Sequence, residues 1–167
     1  MMRKLDKLPE KIRKKVEPKA LRAAVKPMVK DAKKGARRNK TRSTGLLATS
    51  IGVRLKTYRR GKNRGMTMAI WGPRTKFKSV KAGGTSIHPA KYAHLIEFGT
   101  APHAIRAGRK MLAFDDKGEN VVLSKVDHPG SPARPFMRPA FTKNKRRAIR
   151  LMVGVINAAL RKERTTK

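Results

Sequence analysis

Residues 92–100 read Tyr-Ala-His-Leu-Ile-Glu-Phe-Gly-Thr and predict a short helix near the middle of the chain. Pro89 precedes them, where the first turn of a helix tolerates proline, and Gly99 is a natural left-handed stop. The apolar residues recur at three- and four-residue steps, which is typical of one helix face. The residues of that face are Tyr92, Leu95, Ile96 and Gly99.

On the N-terminal side, a longer basic helix is predicted over about 18–38. Its apolar stripe can dock on a sheet, and Pro27 within the pattern is expected to kink or split the helix. The stripe consists of Leu21, Val25, Met28 and Ala32.

Alternating apolar and polar residues predict two pairs of strands. The first pair covers about 51–56 and 66–71 and is joined by a loop longer than two residues. Its predicted inward rows are Ile51, Val53 and Leu55 on one strand and Met66, Met68 and Ile70 on the other. The second pair covers 105–114 and 120–126, and residues 73–88 between the pairs predict a loop.

A C-terminal helix is predicted from a last apolar stripe, with Phe136 and Phe141 packed beneath it. The stripe consists of Ile149, Met152, Val153, Ile156 and Leu160. The order helix, two strands, helix, two strands, helix predicts an α+β fold. An antiparallel sheet of about four strands is packed by the long N-terminal helix, the short central helix and the C-terminal helix. We expect one domain over 18–160, between a basic extension 1–17 and a basic tail 161–167.

Charge dominates the composition: 44 Lys and Arg stand against 10 Asp and Glu, a net of +34. Such a chain repels itself and attracts polyanions, so we expect an acidic partner, either nucleic acid, an acidic protein surface or both. Residues 1–43 hold a net of +13 and residues 143–167 a net of +8. Without cysteine there are neither disulfides nor thiolate metal sites, which fits a reducing cytoplasm. No signal peptide or spanning segment is evident, so no membrane partner is expected.

Candidates for catalysis or metal binding are few. The chain has four histidines, and His94 and Glu97 alone do not complete a zinc motif. Asp115 and Asp116 fall in a predicted turn, where aspartate is favoured for local hydrogen bonding. Ser50 and Ser131 have no base near them in the pattern. The prediction is a protein that is not an enzyme, with no catalytic residue, cofactor or metal.

Two separated motifs resemble one family. Residues 92–100 are the first motif, and Pro-Ala-Arg-Pro-Phe-Met-Arg-Pro-Ala-Phe at 132–141 is the second. Together they resemble the tail-completion, or head–tail joining, proteins of long-tailed phages of the lambdoid type, the gene-product-ten-like tail components. The resemblance covers about residues 18–150.

The resemblance implies a virion structural protein of the phage neck, at the top of the tail. It implies a ring of six copies that is made in the host cytoplasm, completes the tail and joins it to the head. The implied partners are copies of the chain itself, the head–tail connector and the tail terminator or tail tube. The packaged DNA end is a further candidate partner.

The prolines of the second motif keep the chain extended and rigid, which suits a subunit contact. The predicted interface residues are Glu97, Gly99, Thr100, Arg134, Phe136 and Arg138. The predicted contact for DNA or an acidic partner is the tip of the first hairpin, with Arg59, Arg60, Lys62 and Arg64.

A basic nucleic-acid-binding protein of ribosomal or nucleoid type is the alternative. The net charge supports it. Aromatic residues make up only 5% of the chain, and no known nucleic-acid-binding motif is present.

Overall fold

The fold is that of a computed structural model, which describes residues 10–38, 45–62, 64–77, 81–82, 85–86, 88–108, 111–116 and 119–165. In chain order the elements are α1 (Glu10–Arg38), α2 (Leu46–Ser50), β1 (Ile51–Thr57), β2 (Thr67–Pro73), β3 (Lys81–Ala82), β4 (Thr85–Ser86), α3 (Pro89–Phe98), β5 (His103–Arg106), β6 (Leu112–Asp116), β7 (Glu119–Leu123), β8 (Lys125–His128) and α4 (Met137–Thr165).

The chain forms two compact units. The helical unit comprises Met1–Ala93 and Pro135–Lys167, and the ribbon unit comprises His94–Arg134. The domain boundaries expected from the sequence, 18–160 between two basic ends, stay a prediction.

In the helical unit, α1 and α4 pack antiparallel along a narrow apolar seam. Ala20 shares one buried cluster with Ile156, and Met28 shares the next with Ala148. As the numbers rise along α1 they fall along α4, so the two helices run in opposite directions. Most of the buried side chains of α1 are small, which lets the two backbones approach closely. These small residues are Ala20, Ala24, Ala32 and Ala36.

The first hairpin lies against α1. The β1–β2 register runs from Ile51 opposite Pro73 to Thr57 opposite Thr67. Trp71 packs on the seam cluster, and the N–H of Thr67 donates to the Glu17 carboxylate, 3.3 Å away. One face of this two-stranded sheet is therefore covered by the helices.

The ribbon unit contains two further antiparallel ribbons. β5 pairs with β8 and β6 pairs with β7, so the second pair is nested inside the first along the chain. The Ala107 N–H donates to the Ser124 carbonyl between them, at 2.8 Å. Five residues separate β5 from β6 but only one separates β7 from β8, so one continuous register is impossible.

The predicted α+β class, antiparallel pairing and three main helices are confirmed. The single sheet of about four strands is wrong. Among the described residues there are eight strands in four two-stranded sheets. The predicted strand 105–114 includes parts of both β5 and β6, because five residues that belong to neither strand separate them. The pair β3–β4 forms inside the predicted loop 73–88.

The long helix also departs from its predicted course. α1 begins at Glu10, earlier than the expected residue 18, and it is one helix through both Pro18 and Pro27. Pro27 therefore does not split it. We attribute this to the seam with α4, whose packing offsets the hydrogen bond that a proline cannot donate.

Several predicted core residues are in solvent instead. Phe136 is buried as expected, but Phe141 and Ile149 on α4 are about half exposed, and so is Leu95 on α3. The seam selects only the α4 residues that face α1. On α3 the buried face carries Pro89, Ala93 and Glu97, spaced four residues apart, rather than the row with Leu95.

Two isoleucines on α4 give a matched test of the seam. Ile156 is 2% exposed and Ile149 is 55% exposed. We expect Ile156→Ala to lower the free energy of unfolding by about 2–5 kcal/mol, because it leaves a cavity between the helices. Ile149→Ala is expected to change it by less than about 1 kcal/mol. Denaturant titration followed by circular dichroism measures both, and equal losses would contradict the seam.

Candidate subunit and partner interfaces

The two sequence motifs meet in the ribbon unit. Thr100 and Ser131 form an antiparallel bridge with two backbone hydrogen bonds, of 2.9 Å and 3.1 Å. The Arg134 N–H donates to the Ile96 carbonyl near the end of α3, at 2.8 Å. Carbonyls in the last turn of a helix have no partner within the helix, so this bond satisfies one of them. We call these contacts the motif junction.

Two glycines make the motif junction possible. Gly99 and Gly130 both have positive φ, at 75° and 83°. A Cβ on Gly99 would lie 2.6 Å from the Ser131 carbonyl oxygen, and one on Gly130 would contact the Thr100 carbonyl oxygen. Since the obstructing atoms are backbone, they cannot move aside cheaply. Gly99, in the first motif, and Gly130, two residues before the second motif, are therefore each required by the backbone of the other segment.

The structure groups only part of the predicted interface set. Gly99, Thr100 and Arg134 come together at the motif junction, and Glu97 lies just before it. Glu97 is 8% exposed and Phe136 is 2% exposed, so both are largely covered within the chain. Arg138 is exposed in the first turn of α4, in the helical unit. Their role between subunits stays a prediction.

The hairpin tip carries the predicted basic cluster. Arg59, Arg60, Lys62 and Arg64 lie in the loop between β1 and β2, and all four are exposed. The Tyr58 N–H donates to the Met66 carbonyl at 3.0 Å, and the Gly65 N–H donates to the Tyr58 carbonyl at 2.8 Å. These bonds close the base of the loop, so the four cations are presented from one short segment.

The outer face of the same hairpin is amphipathic, which the sequence pattern did not predict. Met66, Met68 and Ile70 were expected to point inward, yet all three are exposed. The register places Met68 opposite Lys56 and Ile70 opposite Arg54, so an apolar row lies beside a basic row. The inward positions belong to the alternate residues, including Trp71, because the helices cover that face. The sequence did contain a signal. Arg54 and Lys56 are charged and belong on the solvent face, and the residues opposite them, Ile70 and Met68, must lie on that same face.

A small polar cluster at the seam was also missed. Asn144 donates to the Asp31 carboxylate at 2.9 Å, and the Lys143 ammonium lies 3.5 Å from the same oxygen. The Asn144 hydrogen bond, aided by Lys143, holds the pKa of Asp31 below its ordinary value of 3.8 despite partial desolvation. Beside it is a cleft of about 410 Å³, which is also lined by Lys34, Arg38 and Phe136. The signal available in the sequence was Asp31 itself, an acidic residue within a strongly basic helical segment.

The described histidines do not form a metal centre. His103 and His128 are paired across β5 and β8, with ring centroids 5.2 Å apart. Within the described part of the chain there is no group of three or more histidine, aspartate or glutamate side chains placed to hold a metal ion.

A family model described as "Bacteriophage HK97-gp10, putative tail-component" matches residues 1–99. The chain belongs to this family. As a phage tail component it is a virion protein with a structural role, and it contacts other tail or virion proteins. The matched residues end at Gly99 of the first motif. Arg134 of the second motif lies outside the match and is hydrogen-bonded to Ile96 within it.

Neither the curated proteins nor the solved structures contain a significant match to this tail component. None of its helices, over the residues described, combines the length and the apolar character needed to cross a membrane.

The motif junction can be tested with a matched pair of glycines in this tail component. Gly99 and Gly45 both have positive φ, but a Cβ on Gly45 would meet nothing within 4 Å. Gly45→Ala is expected to cost about 1–2 kcal/mol from backbone strain alone. Gly99→Ala adds the clash and is expected to cost about 2–5 kcal/mol. Chemical denaturation measures the free energy of unfolding of both variants. Equal losses would mean that the backbones at the motif junction leave room for a Cβ at Gly99.

Proposed function

We propose that this tail component forms a ring at the top of the tail, completes the tail and joins it to the head connector. The observation that carries the proposal is the motif junction. Two motifs that resemble those of tail-completion proteins lie about thirty residues apart in sequence and form one hydrogen-bonded element in the fold. A backbone fixed in this way suits a permanent assembly contact.

The interface set of Glu97, Gly99, Thr100, Arg134, Phe136 and Arg138 serves this assembly in two ways. The buried members and the glycine hold the backbone of the motif junction and of the α1–α4 seam in one shape. The arginines supply planar, fixed donors for carboxylates of a neighbouring subunit. The proposed neighbours are other copies of the chain, the connector and the tail terminator or tail tube.

Acidic faces of the connector and terminator are the proposed counterpart of the basic surface. The outer face of the first hairpin supports a protein partner, because its exposed Met66, Met68 and Ile70 offer nothing to phosphates. The hairpin tip supports a secondary contact with the packaged DNA end. The proposed role needs no catalysis and no cofactor.

A nucleic-acid-binding protein of ribosomal or nucleoid type is the weaker candidate. The exposed cations of the hairpin tip favour it, but the family match covers the same residues and describes a tail component.

Head–tail joining is tested by deleting the gene from its phage. We expect filled heads and separate tails that fail to join, seen by electron microscopy of lysates, with infectious particles reduced by several orders of magnitude. Supplying the protein from a plasmid should restore joined particles. Normal infectivity without the protein would contradict the proposal, and headless tails of abnormal length would assign it to tail-length control instead.

The hairpin tip is tested against an equal loss of charge elsewhere. The tip variant changes Arg59, Arg60, Lys62 and Arg64 to Gln. The control changes the exposed α4 residues Lys145, Arg146, Arg147 and Arg150 to Gln. Both lose four charges, so long-range attraction to DNA falls by a similar amount in each.

If the tip touches phosphates, only the tip variant should show a flatter salt dependence of binding to random duplex DNA. Each lost phosphate contact reduces the log–log slope by about 0.9. Binding to the purified connector is measured in parallel. Equal salt-dependence slopes for both variants would show that the hairpin tip does not contact DNA phosphates.

A further inference from the structure

The positive charge is divided very unevenly between the two units. The ribbon unit, His94–Arg134, holds six Lys and Arg against five Asp and Glu, a net of +1. The rest of the chain holds 38 against five, a net of +33. Half of all the acidic residues therefore lie in 41 of the 167 residues.

We infer that the ribbon unit is the surface through which copies of this chain contact one another in the ring. This inference rests on the proposed ring and adds where its subunits meet. The helical unit, apart from Arg138 of the proposed interface set, is left to face partners that carry negative charge.

Exposed apolar side chains are concentrated in the ribbon unit. Six of its large hydrophobic residues are exposed, at positions from the end of α3 to β7: Leu95, Phe98, Ile105, Met111, Val122 and Leu123. Apolar side chains exposed this densely are typical of an interaction surface. Aromatic residues and methionine are enriched in such surfaces, and charged residues are depleted at their centres.

The β6–β7 ribbon has an apolar face that needs burial. Leu112 stands opposite Leu123 in the β6–β7 register, and Val121 lies on the same face two residues along. An isolated two-stranded ribbon is marginally stable in water, and its outer edges carry unpaired backbone groups. Packing an apolar ribbon face against another molecule would supply the missing burial.

Phe98 is the best-placed anchor. It is 73% exposed at the last position of α3, directly before Gly99 of the motif junction. The hydrogen bonds of the motif junction fix the backbone at that point. The phenyl group of Phe98 can therefore enter an interface at little further cost in conformational entropy. Rigid aromatic side chains at the centre of an interface carry a large share of binding energy.

Charge identifies the occupant as a second copy. Two helical units brought together would place about +33 against +33, and the few acidic residues there cannot neutralise it. Two ribbon units have nearly balanced charge, so they can approach one another without strong electrostatic repulsion. A strongly acidic neighbour would instead gain most from the helical unit.

This division predicts opposite effects of salt on two associations. Raising NaCl from about 0.1 M to about 1 M shortens the Debye length from about 10 Å to about 3 Å. Screening relieves the repulsion between helical units, so self-association should strengthen. Binding of an acidic partner to the helical unit should weaken over the same range.

The experiment compares exposed apolar residues of the two units in the full chain. Phe98→Glu and Leu123→Glu change the ribbon unit, and Ile149→Glu and Leu151→Glu are the matched controls in the helical unit. All four replace an exposed hydrophobic residue and remove the same amount of positive charge. Sedimentation velocity across the salt series measures self-association, and circular dichroism confirms the fold of each monomer.

We expect both ribbon variants to weaken self-association at least about tenfold, as loss of a central anchor does. The controls should stay within about twofold of the unaltered chain. Phe98→Ala provides a second reading without an added charge, in case Phe98→Glu does not fold.

Four outcomes would overturn the inference. If the unaltered chain assembles and the ribbon variants assemble equally well, the inference fails and the ring stands. The same holds if the controls lose assembly instead, or if salt dissociates the unaltered oligomer. If the unaltered chain is monomeric at every salt and protein concentration, the ring itself fails and the inference with it.

Discussion

The helical unit depends on an apolar seam that holds two strongly basic helices together. α1 carries twelve Lys and Arg against three acids, and α4 carries nine against one. Their like charges repel, so the seam must offset that repulsion as well as the entropy of ordering two long helices. Small side chains along α1 bring the backbones close, and the Asp31–Asn144 hydrogen bond places one of the few acids where cations from both helices surround it. The first hairpin rests on this pair through Trp71 and Glu17.

The ribbon unit depends on a different constraint, the crossing of two backbones at Gly99 and Gly130. Neither position has room for a Cβ, and both need a positive φ, so neither glycine can be replaced without moving the backbone of the other segment. Glu97, which looked suited to an intersubunit contact, is largely covered within the chain. Phe98, which lies between Glu97 and Gly99, is the side chain that the junction leaves in solvent.

In the proposed ring the chain binds its own copies and also unlike neighbours, and these two tasks make opposite demands on charge. The division into a ribbon unit of +1 and a remainder of +33 separates them. In our proposal, the strongly basic part of the chain attracts acidic partners or DNA, while the ribbon unit allows copies to approach. Family membership accounts for the role in the tail, and this distribution of charge supports the proposed division of labour.

The sequence by itself determined the α+β class, the three main helices, the first hairpin and the family. These follow from local periodicity, from proline and glycine positions and from two motifs of fixed spacing. It did not determine which of two alternate rows faces inward. Met66, Met68 and Ile70 are more apolar than the alternate row of Thr67, Ala69 and Trp71, yet the cover provided by α1 selected the alternate row. Ile149 and Ile156 are identical residues on one helix, and the single direction from which α1 approaches buries one and exposes the other. Only the tertiary structure brought residues 96–100 and 130–134 into one junction, because backbone contacts over that separation leave no periodic trace in the chain.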